Sequence, residues 1–237
     1  MSNVSMDKRF FGIVLVLLAW FFAGLVSQEA FAASERALIV IDPAHGGQDT
    51  GVVTDKLLEK NITLELALLI RQEAQNEESF HVQLLRETDR SMTTAERIKA
   101  VGAATPACLI SLHVNAGFGR KAEGYEVYFP GFQQNDTSSG DAGAILKDMT
   151  ANQHLNDSVR LAQRIQAALE KVFPRKGRGL RDAPNTLLEG VNTPGLVVEV
   201  GFATQPEERV KLTDTATQRT LARAIVQGLG AYFQKAP

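Results

Sequence analysis

The sequence predicts an α/β domain of three layers, a mostly parallel or mixed central sheet with helices on both faces. Three observations predict it. Apolar runs of strand length alternate with amphipathic stretches of helix length. The runs ALIVI (37–41), ACLISL (107–112) and LVVEV (196–200) leave almost no polar face, as strands covered on both sides do. The composition, 44% hydrophobic and 22% charged over 237 residues, is that of a globular chain. It excludes disorder, collagen and a multi-span membrane protein.

The segment from Met1 to Ala33 stands apart from this pattern. Lys8 and Arg9 precede the apolar run Phe10 to Val26, and Ala30-Phe31-Ala32 follows as a small-x-small cleavage site. Residues 1–32 therefore read as a signal peptide, with export to the periplasm or beyond. Left uncleaved, the apolar run approaches the ~20 residues of a single membrane anchor. After cleavage no membrane span is expected, and the domain is placed at residues 37–235.

The elements then follow in order. Ala37 to Ile41 reads as a buried strand. Asn61 to Ala74 reads as a helix with Ile62, Leu66, Leu69 and Ile70 on one face. Phe80 to Leu85 is a second strand. Thr93 to Ala104 is a helix capped by Thr93 or Thr94. ACLISL is a third strand and Gly124 to Phe129 a fourth. The interval from Pro130 to Leu155 reads as a polar loop holding one short apolar-spaced piece, Ala142 to Met149. Eight residues fall below the ~12–15 that an isolated helix needs, so docking alone would order them. Two readings of residues 138–148 stay open, a surface loop or a lid over a groove. Asn156 to Phe173 is a helix with Leu161, Ile165, Ala168 and Val172 inward. Pro174 to Gly179 is a basic loop, Leu196 to Val200 a strand with no wet face, and Thr217 to Phe233 a closing helix.

The net charge of −2 argues against bulk electrostatic binding to nucleic acid or anionic lipid. The single cysteine, Cys108, forms no intramolecular disulfide and reads as a small buried apolar residue. Of four histidines, His45 and His113 follow or end buried strands, whereas His81 and His154 read as surface residues. Imidazoles brought together at strand ends suit a borderline metal such as zinc, and a catalytic zinc takes three protein ligands. Glu59, where a helix begins, is chosen as the third. Glu199 is an acid inside an apolar strand, which is costly without a partner or a task. Each of these residues also has an ordinary structural reading: a hydrogen-bonded histidine, or a carboxylate favourable to a helix dipole.

Four blocks, in order, resemble the amidase-3 family of zinc-dependent N-acetylmuramoyl-L-alanine amidases. They are IVIDPAHGGQDTG, LLEKNITLELA, ISLHVNA and PGLVVEVGFATQPEE. The resemblance runs from about Ala37 to Tyr232. It implies a phosphorylase/hydrolase-like fold, a Zn2+ held by His45, Glu59 and His113, and Glu199 as the catalytic acid/base. It further implies peptidoglycan as substrate, cut between N-acetylmuramic acid and L-alanine, and it allows a protein activator as partner. A monomer is expected. Ala44 stands where the family usually has glycine, which is tolerable if its φ stays negative. Asp42 is expected to orient a ligand histidine through its spare nitrogen. The alternatives are another zinc-dependent peptidase or amidase, or a non-catalytic wall-binding protein.

Overall fold

The computed structural model describes residues 36–54, 57–117, 122–131, 142–174, 176 and 179–234. The signal-peptide reading of residues 1–32, most of the polar loop after Pro130, and Arg175 and Arg178 lie outside them.

A six-stranded mixed sheet forms the middle layer. Its strands are β1 (Ala37–Pro43), β4 (Phe80–Leu84), β5 (Cys108–Asn115), β6 (Glu126–Phe129), β7 (Gly179–Asp182) and β8 (Gly195–Phe202). The order is β4-β1-β5-β8-β6-β7. The first four run parallel, β6 is antiparallel to β8, and β7 is parallel to β6. A small hairpin, β2 (Val53–Thr54) with β3 (Leu57–Leu58), precedes α1 (Glu59–Glu73). The remaining helices are α2 (Thr94–Ala104), α3 (Ala142–Val172), α4 (Thr186–Glu189), α5 (Pro206–Thr213) and α6 (Thr215–Phe233). The α/β class and the helices on both faces are as the apolar runs predict.

Side-chain alternation sorts the strands into two unlike faces. On one face Ile39, Ile41, Ile110, Leu112, Val127, Val198 and Val200 pack under α1, α3 and α6 in the main core. The other face starts apolar, with Val40, Leu109 and Val197 under α2 and α4. Further along the same strands it turns polar, with Asp42, Ser111, His113 and Glu199. The expectation that LVVEV has no wet face is corrected here: Val198 is wholly buried, but Glu199 is only partly so.

Local signals explain most boundaries. Thr93 caps α2 in a full capping box with Glu96. Asn185 caps α4, Gln205 caps α5 ahead of Pro206, and Asp214 caps α6. The expected closing helix from Thr217 starts at Thr215, and the acidic turn before it is a separate helix, α5. Two readings fail. Ala142 to Met149 is not a short separate element: it forms the first two turns of a 31-residue helix that continues through Val172. Continuity supplies the length that the piece lacks alone. His154 accordingly lies on α3 rather than in a loop, facing a cleft of about 520 Å³ that none of the candidate ligands lines. The basic loop is also shorter than expected, because Gly179 opens β7, a polar edge strand that hydrophobic patterning does not mark.

Candidate metal centre and neighbouring acid

His45 leaves β1 through a turn that few side chains tolerate. Its φ is 61°, and Gly46 and Gly47 follow at 130° and 60°. A non-glycine residue in the left-handed region persists only where its surroundings hold it. The Arg97 guanidinium, on α2, donates to His45 O at 2.7 Å. Arg97 is itself fixed by a buried ion pair with Asp42, whose other oxygen accepts from Ser111 Oγ at 2.8 Å. Arg86, 1% exposed, donates to the carbonyls of Pro43, Ala44 and Lys60. Gly47 N donates to Asp89, and Lys60 Nζ donates to both Gly47 O and Asp89. Ala44 is buried and is not among the residues of positive φ, so its methyl is accommodated.

Asp42 therefore does not touch a histidine ring, and that expectation is corrected. It acts on the backbone of His45 through Arg97. The carboxylate at the imidazole is Asp49, whose Oδ2 lies 2.9 Å from His45 Nδ1. This contact leaves Nε2 as the ligand nitrogen of His45.

Glu59 is the first residue of α1 and 2% exposed. Its Oε1 lies 3.1 Å from His45 Nε2 and 3.1 Å from His113 Nδ1. Backbone N–H groups of Val52 and Val114 donate to its two oxygens at 2.8 and 2.9 Å. Burial alone would raise its pKa, but the hydrogen bonds from His113, His45 and these two amides win and hold the carboxyl well below its usual range. At His45, burial opposes protonation, yet the carboxylates of Glu59 and Asp49 push the imidazole up to about 8.

The donor set fits a metal ion. Two imidazole nitrogens and one carboxylate oxygen lie within 4.8 Å of one another. Ligand atoms about 2 Å from a tetrahedral ion stand about 3.3 Å apart, close to the observed 3.1 Å. Gly51 keeps the space open. Its φ is 62°, and a Cβ there would lie 2.5 Å from Glu59 Oε2 and 2.8 Å from His45 Nε2.

Glu199 is the ladder partner of His113. Its Oε2 is buried without a hydrogen-bond partner among the described residues. Burial, with Glu59 and Glu126 close by, pushes its carboxyl up to about 7 against the pull of His113 and His45. The structure thus brings together all four residues singled out from sequence. His81 is exposed on β4 and His154 is on α3, both apart from them. Cys108 is fully buried, as expected, and burial raises its thiol pKa.

Sequence reasoning missed Asp49, Gly51, Arg86, Arg97 and Glu126. Asp49 and Gly51 carried a usable signal, since both fall within six residues of His45 in a glycine-rich turn. Arg86 and Arg97 carried none, because only the folded chain buries them.

Residues 39–231 match the family described as N-acetylmuramoyl-L-alanine amidase. The germination-specific N-acetylmuramoyl-L-alanine amidase of Bacillus subtilis is 29% identical over 211 residues, 83% of this chain and 79% of that protein. The crystal structure of the N-acetylmuramoyl-L-alanine amidase from Clostridium difficile 630 superposes with a TM-score of 0.71 at 26% identity, covering 86% of this chain and 100% of that one. AmiC2 of Nostoc punctiforme, an N-acetylmuramoyl-L-alanine amidase, gives 0.68 at 25% identity, covering 85% and 99%. With a partly buried His/Glu/His cluster, a protonatable acid beside it and this match along most of its length, the chain belongs to the amidase-3 family of N-acetylmuramoyl-L-alanine amidases.

Proposed function

We propose that this amidase hydrolyses the bond between N-acetylmuramic acid and L-alanine in peptidoglycan with one zinc ion, held by His45, Glu59 and His113, and with Glu199 as the acid/base. The observation that carries the reading is one carboxylate oxygen of Glu59 set 3.1 Å from a nitrogen of each histidine, with Glu199 on the adjoining ladder position. Zinc, when bound, supplies Lewis acidity to the carbonyl and makes water a better nucleophile at neutral pH. Glu199 takes the proton of the attacking water at its carboxylate and delivers it to the leaving amide nitrogen. A carboxyl that titrates near 7 serves both transfers at neutral pH. Asp49 accepts from His45 Nδ1–H and holds that ring in the tautomer that offers Nε2. Arg97 and Arg86 hold the turn that aims the ring.

The substrate lies outside the cytoplasm, which agrees with residues 1–32 as an export signal and 37–235 as the catalytic domain. Metal analysis combined with one digest of purified peptidoglycan tests the reading. It expects one zinc per chain and release of stem peptides with free L-alanine amino termini. Shortened peptides would favour a zinc peptidase instead, and intact wall with bound protein a non-catalytic module. In His113→Ala the bound metal should be lost; a full equivalent retained there would refute the ligand assignment.

A further inference from the structure

We infer that Arg181 binds a carboxylate of the stem peptide on the leaving-amine side of the scissile bond, and so makes the enzyme selective for stems with an acidic second residue. This rests on the proposed activity and names its substrate class more closely. The basis is a row of residues that crosses the sheet at right angles to the strands.

Ladder pairing sets His113 of β5 beside Glu199 of β8, Glu199 beside Glu126 of β6, and Glu126 beside Gly179 of β7. All four lie on the sheet face that carries the candidate metal ligands, because Val127, Leu180 and Val198 occupy the opposite, apolar face. One ladder step of two residues away, Tyr128 pairs with Arg181 on that same face. The row ends at Gly179, which has no side chain and a φ of 72°. The row runs from the ligand cluster, past the acid, to the β7 edge.

The order along the row orients the substrate. Glu199 must reach the leaving nitrogen, so the leaving peptide extends past Glu199, away from His113 and toward β6 and β7. The acyl half is a neutral N-acetylated sugar whose lactyl carboxyl is tied up in the amide. The peptide half alone brings carboxylates. β7 stands two strand spacings from β8, about 10 Å. An extended dipeptide spans ~7 Å, and an arginine side chain covers the remainder. The residue matched to Arg181 is therefore the second of the stem.

Arg181 is built to receive it. Its side chain is 41% exposed, but its Nε is buried and has no hydrogen-bond partner among the described residues. Its ion-pair partner is Glu126 at 3.7 Å, beyond hydrogen-bonding range. Glu126 is fully buried. The Tyr128 hydroxyl donates to its Oε2 at 2.6 Å and Asn115 Nδ2 at 2.7 Å. That carboxylate steadies the base of the guanidinium, while the outer N–H groups remain for a ligand. A guanidinium fork matches a carboxylate in two parallel hydrogen bonds.

The test compares two soluble N-acetylmuramoyl tripeptides that differ only at the second residue, one with a free α-carboxylate and one with the carboxamide. The zinc-loaded wild type should show kcat/KM roughly 10- to 100-fold higher on the carboxylate, as loss of a charge-assisted hydrogen bond implies. In Arg181→Gln the ratio should collapse toward one, chiefly through KM on the carboxylate substrate. Arg181→Lys, which keeps the charge and loses the fork, should fall between. A merely structural role would lower both substrates together and leave the ratio alone. Equal turnover of the two substrates by wild type, or a preference retained in Arg181→Gln, overturns the inference while the amidase reading stands. Cleavage of neither substrate by zinc-loaded wild type overturns both.

Discussion

Asp49, Gly51 and Glu199 decide what the centre can do, and each makes a separate prediction. Asp49 is exposed, so its contact with His45 adds little to folding. Its role is to fix the ring. Asp49→Asn should cost 10- to 100-fold in zinc affinity with little change in the melting temperature of the metal-free protein. Equilibrium competition against a chelator reads this directly. Gly51→Ala places a methyl where ligand atoms stand 2.5–2.8 Å away, in a backbone conformation that alanine avoids. It should abolish stoichiometric zinc, measured by elemental analysis. Glu199→Gln should retain zinc and lose ~10²–10⁴-fold in kcat. Activity within a few-fold of wild type would leave Glu199 a structural acid. The same variant has a pH signature. In the unfolded chain Glu199 ionises near 4.5, whereas in the fold it keeps its proton to about 7. Its contribution to stability is therefore fully present below 4.5 and drains away as pH rises through 7. Metal-free Glu199→Gln should be the more stable protein at pH 8, by about 3 kcal/mol at most, with the gap closing toward pH 4.5.

At the scale of elements, the legible parts were those whose burial is complete. β1, β5 and β8 are covered on both faces along most of their length, so their sequences are apolar runs that turns and caps delimit. The parts that sequence hid are half-buried or depend on pairing. β7 reads Gly-Leu-Arg-Asp, an edge strand with one apolar residue, and nothing local separates it from a loop. The first turns of α3 project Leu146 and Met149 into solvent, 65% and 63% exposed, so the amphipathic signal starts only near Leu155. His45, Glu59 and His113 were visible because each sits near the border between an apolar run and a polar turn, and Glu199 because it is an acid inside an apolar strand. The row from His113 to Gly179 was not, because strand register is a tertiary property. The exposed start of α3 yields a prediction: Leu146→Gln with Met149→Gln should change stability by no more than about 0.5 kcal/mol each. Chemical denaturation measures this, and a loss of 2 kcal/mol or more would mean that the two side chains pack against something. The opposite case is the buried pair Arg97–Asp42. Arg97→Met strands an unpaired buried carboxylate and should cost about 3–5 kcal/mol. It should also weaken zinc binding, since it frees the carbonyl of His45.

At the scale of the molecule, the two sheet faces divide the work. One is closed by α1, α3 and α6 over the main core, and the other is covered only in part, by α2 and α4. Among the described residues, the part of that second face beyond α2 and α4 holds the partly exposed histidines beside the largely buried Glu199, so the histidine rings stand where water can reach them. Metal binding couples this open face to global stability. A ligand that binds only the folded state stabilises it by about 4 kcal/mol at a thousand times its Kd. For a domain of this size that is roughly a 10 °C rise in melting temperature. The size of the rise should depend on pH through His45. Glu59 and Asp49 raise its folded-state pKa from 6.5 to about 8, against the opposing pull of burial. In the metal-free protein the stability from that protonated pair is fully present below 6.5 and is lost as pH rises through 8. Zinc needs the neutral ring, so at pH 6 it must displace a favourable proton and at pH 8.5 it need not. The zinc-induced rise in melting temperature should therefore grow from pH 6 to pH 8.5 in wild type. It should be near zero at both pH values in His113→Ala. In Asp49→Asn, which removes one of the two carboxylates that favour the proton, the pH dependence should flatten. A rise independent of pH in wild type would mean that His45 is already neutral before metal arrives, and that Glu59 and Asp49 hold it by geometry alone.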